Sequence, residues 1–156
     1  MRILIATDGS DFSKAAIEKC CQIITKPEEA AIKIVSVYQV VVPLDIHTAS
    51  IEYSQELEEA TRRQAEEFVK EAAAAVRECF PNSNIEITTQ VSVGAADQAL
   101  IETAKEWNAD LVVVGSHGRG FWGRILIGSV SDSLVHHAPC SVLVVRPPES
   151  GERVTA

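Results

Sequence analysis

The sequence predicts an open, doubly wound α/β domain on a five-stranded parallel sheet of order 3-2-1-4-5, with helices on both faces. Two observations carry that reading. Short apolar runs alternate with longer segments of helical periodicity along the whole chain, and strands separated by helices of that length pair in parallel through right-handed crossovers. The run Leu111-Val112-Val113-Val114 is apolar throughout, as in a strand covered on both faces.

Taken in order, Arg2 to Thr7 is the first strand. Asp8-Gly9-Ser10-Asp11 is a turn in which Ser10 or Asp11 can cap the helix that follows. That helix places Ala16, Cys20, Ile23 and Ile24 on one face and stops at Lys26-Pro27. Ile32 to Tyr38 is the second strand. The stretch from Gln39 to about Ile51 contains Pro43 and small polar residues and reads as a loop. A long helix runs from about Glu52 to Cys79, with Ala65, Phe68, Val69, Ala72, Val76 and Phe80 at helical spacing, and Pro81-Asn82 ends it. Ile85 to Val93 alternates like a half-buried strand. Gly94 introduces a helix over about Ala96 to Asn108, with Leu100, Ala104 and Trp107 facing inward. After the Leu111–Val114 strand come a glycine-rich loop, a helix over about Arg124 to His137, and a last strand, Ser141 to Val145, set between Pro139 and Pro147-Pro148. The expected division is one domain over residues 1–147 and a tail over 148–156.

The 156 residues, 46% hydrophobic and 23% charged, suit one compact domain that needs no staples. The apolar runs are too short to span a bilayer, and the first ends at Asp8, too soon for a signal peptide, so a cytoplasmic location is expected. A net charge of −8 argues against binding a nucleic-acid backbone or an anionic membrane. It leaves room for a small phosphate ligand, which backbone N–H groups can hold. Cys20, Cys21, Cys79 and Cys140 form neither C-x-x-C nor a metal-finger spacing, and are expected to be buried thiols serving as small hydrophobes. His136-His137 closes a helix, where positive charge complements the dipole, and adjacent residues point different ways, which disfavours shared metal ligation. Trp107 is expected in the core, and Trp122 either anchors the core or covers a ligand or a partner.

The segment Gly115 to Ser129 carries the chemistry. It leaves the carboxyl end of the buried strand and ends near a helix N-terminus. Its glycines permit close approach to an anion and unusual dihedrals, and successive N–H groups can form an anion nest. Ser129 adds a hydroxyl, while His117, Arg119 and Arg124 add local donors. On this chemistry alone, a surface loop whose glycines serve only its turns remains an alternative. Gly118-Arg119-Gly120-Phe121-Trp122-Gly123 matches G-x-G-x-x-G, but it follows the fourth strand, and the position about 20 residues on falls in the apolar Val142–Val145 run. No Gly-Lys pair exists, so a Walker P-loop is excluded.

The spacing Gly115-x2-Gly118-x9-Gly128-Ser129 resembles the ATP-binding signature of the universal stress protein family. Ile3-Leu4-Ile5-Ala6-Thr7-Asp8-Gly9-Ser10 is similar to that family's first strand and turn, and Ala138-Pro139-Cys140 through Arg146 to its last strand. The resemblance implies a Rossmann-like fold and a site for ATP, ADP or AMP, with Mg²⁺ accompanying ATP. It would put Asp8 on the ribose or the Mg²⁺ and the backbone of Val37 against the adenine. Gly115, His117, Gly118, Gly128, Ser129 and Val130 would surround ribose and phosphates, and Ala6, Thr7, Val114, Ser116 and Arg119 complete the implied nucleotide-binding set. For Asp8, a turn or N-cap carboxylate is an equal reading. A homodimer is also implied, joined through Ser141–Val145. As an edge strand this uncharged run would expose unpaired N–H and C=O groups.

Three functions follow from these residues. The first is a nucleotide-binding stress or signalling regulator. The second is a slow ATPase or self-phosphorylating enzyme at the same site, although no general base with an evident nucleophile is visible. The third is a flavodoxin-like FMN protein, which would call for aromatic-rich loops in a chain that is only 5% aromatic.

Overall fold

The computed structural model describes residues 1–40, 51–118 and 127–147, the side chains of 51–54 apart. The element order is β1 (Arg2–Ala6), α1 (Asp11–Ile23), a 3-10 turn (Pro27–Glu29), β2 (Ala31–Tyr38), α2 (Ile51–Cys79), β3 (Glu86–Val93), α3 (Ala96–Glu106), β4 (Leu111–Gly115), α4 (Ser129–His137) and β5 (Ser141–Val145). The five strands form one parallel sheet of order β3-β2-β1-β4-β5, as the sequence predicts. In register, Ile3 stands between Ile32 and Leu111, and Ile5 between Ile34 and Val113. Among the described residues, no helix is long and apolar enough to cross a membrane.

The period-2 alternation of the strands divides the apolar side chains between two layers. Ile3, Ile5, Ile32, Ile34 and Val113 face α1 and α2, where Ala16, Ile17, Cys20, Val69, Ala72 and Val76 meet them. Leu4, Ala6, Val35, Val112 and Val114 face the other way, onto Leu100 and Ala104 of α3 and Leu134 of α4. Both faces of the central strands are therefore covered. This explains their near-continuous apolar character.

Four details differ from the sequence reading. In α1 the buried stripe is Ser13, Ala16, Ile17 and Cys20, continued by Ile24, while Ile23 is exposed beside it. α3 ends at Glu106 because Asn108 adopts φ 51°, a left-handed conformation that cannot continue a helix. Trp107 then sits half-buried at the core's edge, its carbonyl accepting from Arg2 Nη1 at 3.0 Å and its ring lying 5.4 Å from Lys33 Nζ. α4 begins at Ser129, since Gly128 is extended (φ −61°, ψ 150°) as its N-cap and Ile127 is outside the helix. The expected start near Arg124, together with Trp122, most of the Gln39–Ile51 loop and the tail over 148–156, lies outside the described residues.

The fourth difference is the cysteines. Cys20 is fully buried, Cys21 and Cys140 are half-buried, and Cys79, the last residue of α2, is exposed. Burial, with a smaller contribution from Cys79, pushes the Cys20 thiol up to about 12. Its folded-state value thus lies above the ordinary 9.0, so the stability it contributes is intact below about pH 9 and is lost as pH rises toward 12. Iodoacetamide at pH 8 should accordingly alkylate Cys79 first and leave Cys20 unmodified in the folded protein. Peptide mass spectrometry reads the order directly, and equal labelling of the two would contradict this packing.

At the end of β4, Gly115 lets the first turn of α1 rest on the strand. A Cβ there would stand 2.7 Å from the Phe12 carbonyl carbon and 2.8 Å from its oxygen. Backbone cannot yield as a side-chain tip does. Gly115→Ala should cost about 1–3 kcal/mol, the usual penalty of overpacking. Urea denaturation with an unchanged midpoint would refute that contact.

Candidate functional site

A cavity of about 340 Å³ opens beyond the carboxyl ends of β1, β2 and β4. The strand order reverses there, so the loops after β1 and β4 diverge to opposite faces and leave a crevice. One side of the cavity is apolar. Val35 and Val37 reach it from β2, Ala96 and Leu100 from α3, Val114 from β4 and Val130 from α4, with Ala6 at the end of β1. The other side is polar, formed by Thr7, Asp8 and Ser13, by Gly115, His117 and Gly118, and by Gly128, Ser129 and Ser131.

The turn after β1 is held from within. Gly9 has φ +74°, the left-handed region that favours glycine, and its N–H donates to Thr7 Oγ1 at 3.3 Å. Thr7 Oγ1 donates to Ser13 Oγ (3.2 Å), which in turn donates to the Ser10 carbonyl (2.9 Å). Asp8 Oδ1 accepts from the Ser10 N–H at 3.1 Å and from its hydroxyl at 2.6 Å. Ser10 is also the N-cap of α1, its Oγ accepting from the Ser13 N–H at 3.2 Å. Of the two cap candidates, then, the serine serves and Asp11 follows in the first turn. Asp8 is not the N-cap of α1; its carboxylate braces the turn and lines the cavity.

The glycine-rich segment is pinned at both ends. The Ser116 N–H donates to the Val145 carbonyl (2.7 Å), and the Gly128 N–H donates to the Ser116 carbonyl (2.8 Å). Ser131 Oγ donates to the Gly115 carbonyl at 2.7 Å. These bonds bring the N-terminus of α4 beside the end of β4. Gly128 supplies no capping side chain, so the first-turn N–H groups of α4 open on the cavity that Gly128, Ser129 and Val130 line. His117 packs on Phe12, centroids 5.1 Å apart at 55°, with its Nδ1 3.1 Å from Ser116 Oγ.

The glycines serve space more than dihedrals. Among the described glycines only Gly9 and Gly94 have positive φ. A Cβ on Gly118 would stand 2.9 Å from Asp8 Oδ2, and one on Gly128 would stand 3.2 Å from the Ser116 carbonyl and 3.3 Å from His117 Cα.

Of the residues singled out from sequence, Ala6, Thr7, Asp8, Val37, Val114, Gly115, His117, Gly118, Gly128, Ser129 and Val130 all line this cavity. Ser116 does not: it is fully buried, its backbone bonded to Val145 and Gly128 and its Oγ beside His117 Nδ1. Arg119 lies outside the described residues. Sequence reasoning missed Ser13, Val35, Ala96, Leu100 and Ser131. Val35 was within reach, since it shares a strand face with Val37 two positions on, and Ala96 and Leu100 share a helix face at i, i+4. Among the described residues, no group of three or more His, Cys, Asp or Glu is placed to hold a metal ion.

Comparison with known proteins agrees with this fold. Residues 1–146 match the model of the universal stress protein family. A Staphylococcus aureus (strain USA300) protein assigned to the universal stress proteins is 33% identical over 150 residues, covering 94% of this chain and 84% of its own. The solved universal stress protein UspA from Lactobacillus plantarum superposes with a TM-score of 0.74 at 25% identity, over 94% of this chain and 97% of that one. A universal stress protein solved in complex with cAMP superposes with a TM-score of 0.65 at 26% identity, over 93% and 96% of the two chains.

Proposed function

The chain belongs to the universal stress protein family, and from that premise we propose that its sheet-end cavity binds ATP, or ADP or AMP in its place, as the ligand of a stress-response regulator in the cytoplasm. One observation carries the reading: the cavity is apolar on one side and polar on the other, with a helix N-terminus on the polar side. An adenine nucleotide has the same division. Its flat base fits against Val35, Val37, Leu100 and Val130, and the Val37 backbone can meet the base edge. Its phosphates fit the first turn of α4 with Gly118, Gly128 and Ser129, where backbone N–H groups and the helix dipole favour negative charge. The family member solved with cAMP holds a ligand of this class.

Asp8 would then meet the ribose or the Mg²⁺ that accompanies ATP. A single carboxylate suits Mg²⁺, which keeps several waters and takes its remaining ligands from phosphates. In the regulator the nucleotide would set conformation or partner choice, and two copies would join through Ser141–Val145.

Millimolar ATP with Mg²⁺ should raise the thermal midpoint. Ligand at about 100 times its Kd stabilises the native state by about 2.7 kcal/mol. For a chain of this length that corresponds to roughly 5–10 °C. A melt unmoved by ATP, ADP and AMP alike would overturn the reading.

A further inference from the structure

Among the described residues, the cavity is lined from β1, β2, β4, α1, α3 and α4, and by none from α2. Yet α2 reaches the site's rim through Phe68. Its neighbours on the helix, Ala65, Val69, Ala72 and Val76, are buried, and Val69, Ala72 and Val76 pack into the sheet core. Phe68 is half-buried at the edge of that stripe, and its ring lies against Gly9. A Cβ on Gly9 would stand 2.5 Å from Phe68 Cδ1 and 3.0 Å from Cζ, so ring and turn are in direct apposition. Gly9 is the left-handed hinge of the turn whose preceding residue is Asp8. That turn also sets where the carboxylate points, through the two bonds from Ser10 to Oδ1, with Oδ2 beside Gly118.

We propose that Phe68 is a positioning residue for the nucleotide site: its ring backs the Asp8-Gly9-Ser10 turn and so holds the Asp8 carboxylate toward the ribose or Mg²⁺ of the bound nucleotide. The inference rests on the nucleotide reading and adds a route by which α2 governs affinity without touching the ligand. Without the ring, the turn gains room to shift away from the cavity, and the carboxylate shifts with it.

Calorimetric titration with Mg²⁺–ATP across a double-mutant cycle tests this. Phe68→Ala should weaken binding about tenfold in the otherwise native chain and less than about twofold in an Asp8→Ala background, because residues acting through one another are non-additive. Phe68→Leu keeps part of the ring's volume and should lose about threefold, again only when Asp8 is present; it decides the matter if the alanine variant does not fold by circular dichroism. A purely structural role would give the same loss in both backgrounds, which overturns the inference. So does wild-type affinity in a folded Phe68→Ala protein, and so does the absence of measurable binding in Asp8→Ala, since the turn would then matter beyond its carboxylate. Failure of the wild-type chain to bind ATP is a separate result, which removes the nucleotide reading and this one with it.

Discussion

Valine at Gly118 or Gly128 is expected to abolish nucleotide binding, a loss of at least about a hundredfold, while the fold persists. The two sites act differently. At Gly118, which is exposed, a new Cβ meets, among the described residues, only the tip of the Asp8 carboxylate, at 2.9 Å. That tip can swing aside at little cost to folding, but the carboxylate then leaves its place and valine methyls fill the cavity rim. At Gly128 the φ of −61° and ψ of 150° suit any L-residue, so the backbone itself is unstrained. The new Cβ lies 3.2 Å from the Ser116 carbonyl and 3.3 Å from His117 Cα, contacts that yield by a few tenths of an ångström. Its methyls would stand over the first-turn N–H groups of α4, where the phosphates are proposed to sit. Losing two charge-assisted hydrogen bonds at about 1.5–3 kcal/mol each accounts for the magnitude. Asp8→Ala removes one contact and leaves the backbone donors, so about tenfold is expected. Calorimetry on variants shown to be folded by thermal melting checks the ranking. Wild-type affinity in both valine variants would remove the proposed site.

Val144→Lys is expected to convert a dimer to monomers. Among the described residues, β5 pairs with β4 along one edge only and stands last in the sheet. Val142, Leu143 and Val144 are half-exposed, and Val135 on the adjoining α4 is 52% exposed. No charge or proline interrupts the run, and an edge of that kind invites pairing with a second copy across a two-fold axis. Lysine at 144 would bring two ammonium groups together near that axis, and burying unpaired charges costs several kcal/mol. Light scattering at micromolar concentration should give about twice 16.9 kDa for the native chain and 16.9 kDa for the variant. A monomeric native chain would contradict the interface, whatever the nucleotide result.

The strands were the most legible part of the sequence, because burial on both faces of a parallel sheet writes itself as runs such as Leu111–Val114. Helix ends were less so. α4 begins after Gly128 rather than near Arg124, and α3 ends before the left-handed Asn108; backbone conformation decides both, not apolar periodicity. The same limit applies to Cys79 and Trp107, whose residue types suggest a core but whose places at helix ends leave them at the surface or at the core's edge. In the cavity, residues carried by the glycine spacing and by strand ends were legible. Ser13 and Ser131 were not, since each reaches the site only through the hydrogen bonding of a helix's first turn. Phe68 shows the difference most clearly. Its spacing along α2 marks it as part of an apolar stripe, yet nothing in that spacing tells that the ring lies against Gly9, 59 residues earlier in the chain.

Titrating the native chain with Mg²⁺–ATP in a calorimeter tests the nucleotide site most directly. Saturation at one nucleotide per chain is the expected result, and a flat isotherm up to millimolar nucleotide would contradict it.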